Sequence, residues 1–149
     1  MFYRDPLPIT SAEQVLNVSE FEPLARVALP PAHFGYIATG ADDDRTVLCN
    51  HEAFSHYAIR ARRFTDTSHL DTTRRVLGTL WPSPVYLSAV SSMRAFHPDG
   101  ELGVARAAAS RSMQMMLSTG ASTAIEAVIE ARGAPLWQQL YPTDDWAVT

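Results

Sequence analysis

The feature that most constrains the fold is an alternation of buried strands and helices in the second half of the 149-residue chain. Residues 85–90 form a continuous apolar run, which is typical of a parallel strand that is covered on both faces. The pattern then predicts a helix over 99–110, a strand over 113–118, a helix over 124–132 and a strand over 136–141. This order favours right-handed β-α-β units and a parallel sheet.

The first 57 residues favour helices instead. Helices are expected over 21–28, over 32–38 and from Asp42 onward. Ser19 and Glu22 have the spacing of a capping box at the start of the first helix, and Pro31 suits the first turn of the second. Thr123 and Glu126 have the same capping-box spacing near the end of the chain, before the last predicted helix.

Two more strands are expected over 57–64 and 76–81, so we divide the chain into a helical region, 1–57, and a barrel region, 58–149. A complete (β/α)8 barrel takes about 250 residues. Here the pattern stops after three barrel-type strands, where Asp144 is placed to open a further helix. The predicted fold class is therefore α/β: an N-terminal helical segment followed by the first three or so β/α units of an incomplete (β/α)8 TIM barrel.

Composition excludes several classes of site. All 12 basic residues are arginine, so the chain offers no lysine for a Schiff base or a phosphate-binding loop. Cys49 is its only cysteine, which excludes an intrachain disulfide and a multi-cysteine zinc site and favours a reducing, cytoplasmic setting. The net charge of -4 gives no reason to expect nucleic acid, and no apolar run has the length of a membrane segment.

Other motifs are weak signals. His51 and His56 are five residues apart, whereas the zinc-protease helix motif needs four, so the second imidazole lies about 140° around the helix from the first. We expect no metal site there. Arginines cluster at 60–63 and 74–75, but the aspartates beside them favour an ordinary charged surface over an anion site. The glycine fingerprint of dinucleotide-binding folds is absent.

Residues 118–122 read Ser-Thr-Gly-Ala-Ser and follow a predicted strand. The run lacks the Gly-x-Ser-x-Gly elbow of an activated serine, so a hydroxyl-rich loop is the simpler interpretation. In a barrel, however, the loops that follow the strands form the catalytic face. A cofactor-binding role for this loop therefore stays open.

Several segments together carry a family resemblance. Leu29-Pro30 precedes a tyrosine-containing segment at 34–43, and Asn-His-Glu-Ala-Phe follows at 50–54. Further segments are His-Pro-Asp-Gly-Glu at 97–101, Leu-Ser-Thr at 117–119 and Gln-Leu-Tyr at 139–141. In order and spacing they resemble the N-terminal portion of the FMN-dependent α-hydroxy-acid oxidases and dehydrogenases, the family of glycolate oxidase, L-lactate dehydrogenase, lactate monooxygenase and mandelate dehydrogenase.

The resemblance implies an FMN-binding (β/α)8 barrel that oxidises an L-2-hydroxy acid to the 2-oxo acid. Tyr36 matches the tyrosine that binds the substrate carboxylate. Tyr141 matches the tyrosine that contacts the substrate near its reacting hydroxyl, so it is the catalytic candidate in this chain. A phenol can donate to a carboxylate without adding charge, which suits both roles. The alternative for Tyr36 is a core tyrosine on an amphipathic helix.

The resemblance also implies where the cofactor lies. Ser118 and Gln139 match polar groups that hydrogen-bond the isoalloxazine ring of FMN. Ala89, Val90 and Ser91 match the loop after the first barrel strand, whose backbone lies against the flavin. An amide such as that of Gln139 can satisfy donors and acceptors on a flavin edge while the flavin carries out the redox chemistry.

Two positions depart from the family pattern. Val90 stands where many relatives have threonine, so a hydroxyl contact is lost there. Gly120 stands where several short-chain oxidases have a bulky residue such as tryptophan. Because a missing side chain leaves room in a pocket, we assign Gly120 to the substrate site and expect substrates larger than glycolate.

In the family, the catalytic histidine, the carboxylate-binding arginines, the flavin-N1 lysine and the phosphate-binding loops come from later strands. We therefore expect this chain to be inactive and to bind FMN poorly alone. Its expected partners are a small 2-hydroxy acid, the C-terminal remainder of the barrel and, when the barrel is complete, further copies in a homo-oligomer such as a tetramer.

Two alternatives stay open. One is a non-catalytic interaction or regulatory module derived from such an enzyme. The other is a different FMN barrel, such as an isomerase of isoprenoid diphosphates, against which the Tyr36 region and Gln139-Leu140-Tyr141 argue.

Overall fold

The computed structural model describes residues 8–145 and residue 147. The chain divides into two units, Met1–Arg63 and Phe64–Thr149. The described part of the first unit is helical, whereas the second unit contains both strands and helices.

Three α-helices form the described part of the first unit, as the sequence predicts. They are α1, Phe21–Ala28; α2, Pro31–Ala38; and α3, Arg45–Ala53. Short 3-10 turns accompany them at Ala12–Gln14, Val18–Glu20 and Phe54–His56. The Arg26 guanidinium of α1 lies over the Phe34 ring of α2, 4.3 Å from its centre, and Phe34 is buried. This cation-π contact joins the first two helices.

Two predictions for this part of the chain are wrong. The capping box of Ser19 and Glu22 does not form, because Glu20 occupies the N-cap position of α1 and Glu22 instead pairs with Arg26 at 2.8 Å. Residues 57–64 do not form a strand. Loose alternation alone does not make one, since a strand needs a neighbour to satisfy its backbone groups, and these residues stay exposed.

The second unit opens with an antiparallel hairpin where the sequence predicted one strand over 76–81. The hairpin consists of β1, Arg74–Val76, and β2, Thr79–Trp81. The chain reverses at Leu77 and Gly78, which both have positive φ, 44° and 82°. Two positive φ values in succession are the geometry of the tight hairpin turn that favours glycine at its second position.

Three parallel strands follow and confirm the predicted sheet. They are β3, Tyr86–Leu87; β4, Gln114–Leu117; and β5, Trp137–Gln138, in the order β3-β4-β5. Leu87 pairs with Met115, and Met116 pairs with Trp137. The strands are shorter than predicted because the residues after them turn into loops, although the Gln139 amide still donates to the Leu117 carbonyl at 2.8 Å.

Two helices make the crossovers, and both match their predicted positions within about two residues. They are α4, Gly100–Ser110, and α5, Ile125–Arg132. Gly133 ends α5 with a φ of 70°, the left-handed conformation expected of a C-terminal glycine. The capping box of Thr123 and Glu126 does not form, because Ala124 is the N-cap residue and the Thr123 hydroxyl bonds elsewhere.

The core of the second unit lies between β4 and the two helices. Its buried members are Ala105, Ala108, Met115, Leu117 and Val128. The side chains of Tyr86 and Trp137 belong to the other face, where Trp81 of the hairpin packs on them with ring centres 5.6 Å and 5.1 Å away. One face of the short sheet is therefore buried against the helices, and the other is partly covered by Trp81, with Tyr86 still 42% exposed.

None of the helices in the described residues combines the length and the apolar character needed to cross a bilayer. The helix predicted from Asp144 falls mostly outside the described residues, and Asp144 and Asp145 themselves are not helical.

Candidate functional site

Three predicted cofactor-binding side chains meet at the carboxyl edge of the parallel sheet. Ser118 follows β4 directly, Gln139 follows β5 directly, and Ser91 lies in the loop after β3. The Ser91 and Ser118 hydroxyl oxygens are 2.8 Å apart, and the Ser118 hydroxyl donates to Gln139 Oε1 at 3.3 Å. A hydroxyl has a single proton. Ser91 is therefore the donor to Ser118, and the hydrogen bonds run in one direction towards Gln139.

The amide of Gln139 has a defined orientation. The backbone N–H of Thr119 lies 3.2 Å from Oε1 of Gln139 and can only donate, so the amide oxygen must face it. The Thr119 hydroxyl also donates to the backbone carbonyl of Gln139. With its oxygen engaged twice, Gln139 keeps both protons of its Nε2 without an acceptor among the described residues. The edge of the sheet thus offers two held amide donors.

The loops after β3 and β4 approach each other so closely that a side chain at residue 120 would meet Ser91. The Ser92 amide donates to the Gly120 carbonyl at 2.9 Å. A Cβ built on Gly120 would lie 2.8 Å from the Ser91 hydroxyl oxygen and 3.3 Å from Ser91 Cβ. Part of the room that the absent side chain leaves is therefore taken by Ser91.

Glu101 is a member of this region that sequence reasoning missed. It is the second residue of α4, its side chain is completely buried, and its carboxylate accepts hydrogen bonds from both loops. Burial by itself would raise its pKa. The hydrogen bonds from the Ser122 amide and from the Thr123 and Ser122 hydroxyls overcome that effect and lower the pKa to about 2. The His-Pro-Asp-Gly-Glu segment was the available signal, but it served only as part of the family resemblance, and Glu101 was given no role of its own.

The remaining predicted site residues lie outside this hydrogen-bonded group. Val90 is 44% exposed and Ala89 half-buried in the loop after β3. Tyr141 is 67% exposed beyond β5. Tyr36 is 70% exposed on α2 and belongs to the first unit rather than the second. The structure therefore brings together Ser91, Ser118, Gly120 and Gln139.

A cavity of about 240 Å³ lies at the opposite end of the sheet. Gln114 and Trp137, the first residues of β4 and β5, line it together with Trp81 and Arg132. The cavity is therefore separate from the hydroxyl and amide group at the carboxyl edge. The described residues include no cluster of three or more histidine, cysteine or acidic side chains that would hold a metal ion.

Comparison with known proteins decides the family. The sequence profile of the FMN-dependent dehydrogenases matches residues 25–149. The chain belongs to that family. FMN is accordingly the cofactor of the proteins to which it is related.

Curated relatives of two kinds illustrate the match. The chain is 32% identical over 138 residues to the L-lactate dehydrogenase (cytochrome) of Wickerhamomyces anomalus, which covers 91% of this chain and 24% of that protein. It is 36% identical over 132 residues to glycolate oxidase 1 of Zea mays, covering 89% of this chain and 36% of that protein. The chain thus spans about a quarter to a third of the length of these relatives.

Solved structures of related oxidases are also similar to this chain. A lactate oxidase of Pediococcus acidilactici superposes with a TM-score of 0.82 at 31% identity, over 89% of this chain and 37% of the other. A mandelate oxidase superposes with a TM-score of 0.81 at 28% identity, over 88% of this chain and 38% of the other. These similarities support the expected fold class, a partial α/β barrel.

The low pKa of Glu101 leads to a prediction about acid stability. A carboxyl whose folded pKa lies below its ordinary value of 4.5 stabilises the fold above about pH 4.5, and that stabilisation is lost as the pH falls towards 2. The shift corresponds to about 3 kcal/mol of unfolding free energy. We expect Glu101→Gln to be less stable than wild type at pH 7. The difference in unfolding free energy between the two proteins should shrink below pH 4.5, as measured by urea unfolding from pH 7 to about pH 2.5. The exposed Glu126→Gln is the control. A gap that stays constant down to about pH 2.5 would contradict the assignment.

The close approach of the two loops predicts coupling between residues 91 and 120. Gly120→Ala should cost about 1–3 kcal/mol because its methyl displaces the Ser91 hydroxyl from Ser118. Ser91→Ala alone should cost about 1 kcal/mol, the loss of one hydrogen bond. The loss of stability in the double variant should be about 1 kcal/mol smaller than the sum of the losses in the two single variants. Tryptophan fluorescence during urea unfolding reports this unit, since no tryptophan precedes Trp81. Strict additivity would show that the methyl does not meet Ser91.

Proposed function

We propose that this chain is the N-terminal part of an enzyme that uses FMN to oxidise an L-2-hydroxy acid, lactate-like or larger, to the 2-oxo acid. The observation that carries the proposal is the group at the carboxyl edge of the sheet, where Ser91, Ser118 and Gln139 are hydrogen-bonded in sequence. The loops that follow the strands are the part of a barrel that ordinarily holds the reacting molecules.

The donor set suits a flavin. The edge of an isoalloxazine ring carries carbonyl oxygens and ring nitrogens that accept hydrogen bonds. Gln139 holds two amide protons that have no acceptor within the described part of the chain. The backbone of Ala89, Val90 and Ser91 would lie against the ring, and Gly120 lets the neighbouring loop come close without a side chain. When bound, FMN supplies the acceptor for the two electrons removed from the substrate.

The two tyrosines are proposed to handle the substrate. Tyr36 would donate its phenol proton to the substrate carboxylate, and Tyr141 would contact the hydroxyl that is oxidised. Tyr141 follows Gln139 by two residues, so it begins from the same edge of the sheet as the proposed cofactor group. Both phenols are largely exposed in this chain, which leaves them accessible to a bound acid.

The chain does not hold every group that the proposed reaction needs. The family resemblance assigns the base that takes the hydroxyl proton, and the arginines that neutralise the carboxylate, to later strands. The proposal therefore makes the C-terminal remainder of the barrel an obligatory partner. The assembly of complete barrels into a homo-oligomer is part of the same proposal.

FMN binding tests the proposal. The longest reading frame that contains these 149 residues should purify with a yellow cofactor that shows flavin absorbance, whereas the 149-residue chain alone should bind added FMN weakly. Gln139→Leu should weaken FMN binding about five- to thirtyfold, because the loss of hydrogen bonds to a polar ring edge costs about 1–2 kcal/mol. The nearby exposed Gln138→Leu is the matched control. Absence of flavin from the long protein, with free FMN in excess, would overturn the proposal.

The substrate class has its own test. We expect kcat/KM to rise at least about tenfold from glycolate to lactate, mandelate or a longer acid, because a pocket that fits an added apolar group gains roughly 1–3 kcal/mol. Steady-state kinetics on the FMN-loaded long protein, with each acid as sole substrate, measure this ratio. A preference for glycolate would contradict the expectation drawn from Gly120.

A further inference from the structure

Glu101 joins the two loops that carry the candidate site. Its Oε1 accepts from the Met93 amide at 3.2 Å and from the Ser122 amide at 2.8 Å. Its Oε2 accepts from the Thr123 hydroxyl at 2.8 Å, and the Ser122 hydroxyl lies within 2.9 Å of both oxygens. Met93 follows the β3 strand, whereas the other two partners follow β4. One carboxylate therefore holds segments that are about 30 residues apart in the chain.

The negative charge of Glu101 has an unusual form of compensation. Neither of the two ion pairs among the described residues includes it. Glu101 lies in the first turn of α4, and Ser122 and Thr123 lie just before the N-cap of α5, so the charge is near the amino ends of two helices. Helix dipoles favour an anion at that position. All the hydrogen-bond partners of Glu101 are donors, and a carboxylate only accepts, so the two match. A glutamine at this position would carry two amide protons that face other donors.

The contacts of Glu101 lie directly behind the candidate site. Met93 is two residues from Ser91, and Ser122 is two residues from Gly120. The Arg94 amide donates to the Ser122 hydroxyl at 3.2 Å, which adds a direct link between the loops. On the site side, the same two loops are joined by the Ser92 to Gly120 and Ser91 to Ser118 hydrogen bonds.

We propose that Glu101 is a positioning residue for the FMN site, because its carboxylate fixes the separation of the loops after β3 and β4 and so presets Ser91, Ser118 and Gln139 before FMN binds. The inference rests on the proposed function for the identity of the ligand. Glu101 acts through the loops, and it neither contacts the cofactor nor exchanges a proton with the substrate.

A role in helix packing alone would have different consequences. α4 and α5 already share the buried contacts of Ala105, Ala108 and Val128, which do not involve the carboxylate. Removing the carboxylate should therefore loosen the loops more than the core. A cavity at Val128 should loosen the core more than the loops. Val128→Ala is therefore the matched control for general destabilisation.

Amide hydrogen exchange on the 149-residue chain tests whether Glu101 holds the two loops together. The reporters are the Ser92 amide, bonded to Gly120, and the Ala121 amide, bonded to Ser118, compared with the amides of β4. Glu101→Ala should speed exchange at both reporters at least about tenfold more than Val128→Ala does at matched global stability. The exchange rates of Glu101→Gln should lie between those of wild type and Glu101→Ala, since the amide oxygen of glutamine can still accept from the two backbone donors. Reporter exchange that changes only in proportion to global stability would overturn the inference.

The FMN affinity of the long protein tests whether Glu101 prepares the site for the cofactor. Quenching of flavin fluorescence on binding measures this affinity. Glu101→Ala should raise the Kd for FMN at least about tenfold, Glu101→Gln less, and Val128→Ala hardly at all. Loosened loops with an unchanged Kd would also overturn the inference. If the wild-type protein binds no FMN, the proposed function fails instead, and the exchange measurement still decides whether Glu101 holds the loops.

Discussion

Parallel pairing of β3, β4 and β5 is the constraint on which the rest of the second unit depends. Parallel strands need a crossover between each pair, and the crossovers α4 and α5 cover one face of the sheet. Their direction sends all three carboxyl ends to one edge, where Ser118 and Gln139 come within hydrogen-bond reach although 21 residues separate them. The chemistry of the candidate site is thus a consequence of strand direction rather than of any local motif.

The same edge shows how buried polarity is tolerated in this unit. Ser118 is 3% exposed, yet its oxygen has partners in Ser91, Gly120 and Gln139. Glu101 is fully enclosed, yet its oxygens accept from three residues of the loops. Buried polar groups cost little only when they are satisfied in this way. The hydroxyl-rich run after β4, which resembled a candidate nucleophile, mainly supplies those partners.

Strong periodic signals made the helices and the parallel sheet predictable. The apolar run that ends at Val90 and the alanine-rich helix after Pro98 gave the β-α-β order. The family resemblance, rather than the pattern, assigned Ser118 and Gln139 to one cofactor site. Local end signals were less informative, since the hydroxyl of Thr123 satisfies a distant carboxylate instead of capping α5. The loop donors to Glu101 lie 8 to 22 residues away along the chain, beyond the spacings of helix caps and turns, so no spacing rule could reveal them. The hairpin was missed because its two-residue turn is Leu77-Gly78, without the asparagine or aspartate that normally marks such a turn.

Ser91 and Gly120 occupy a shared volume, and this has a consequence for how the site can change over time. A larger residue at 120 meets the Ser91 hydroxyl and its Cβ, so its cost depends on which side chain stands at position 91. Shrinking position 91 first lowers the cost of a later enlargement at 120, whereas enlarging 120 first carries the full cost of the clash. Such epistasis makes the two positions a single unit for directed evolution, best randomised together rather than one after the other.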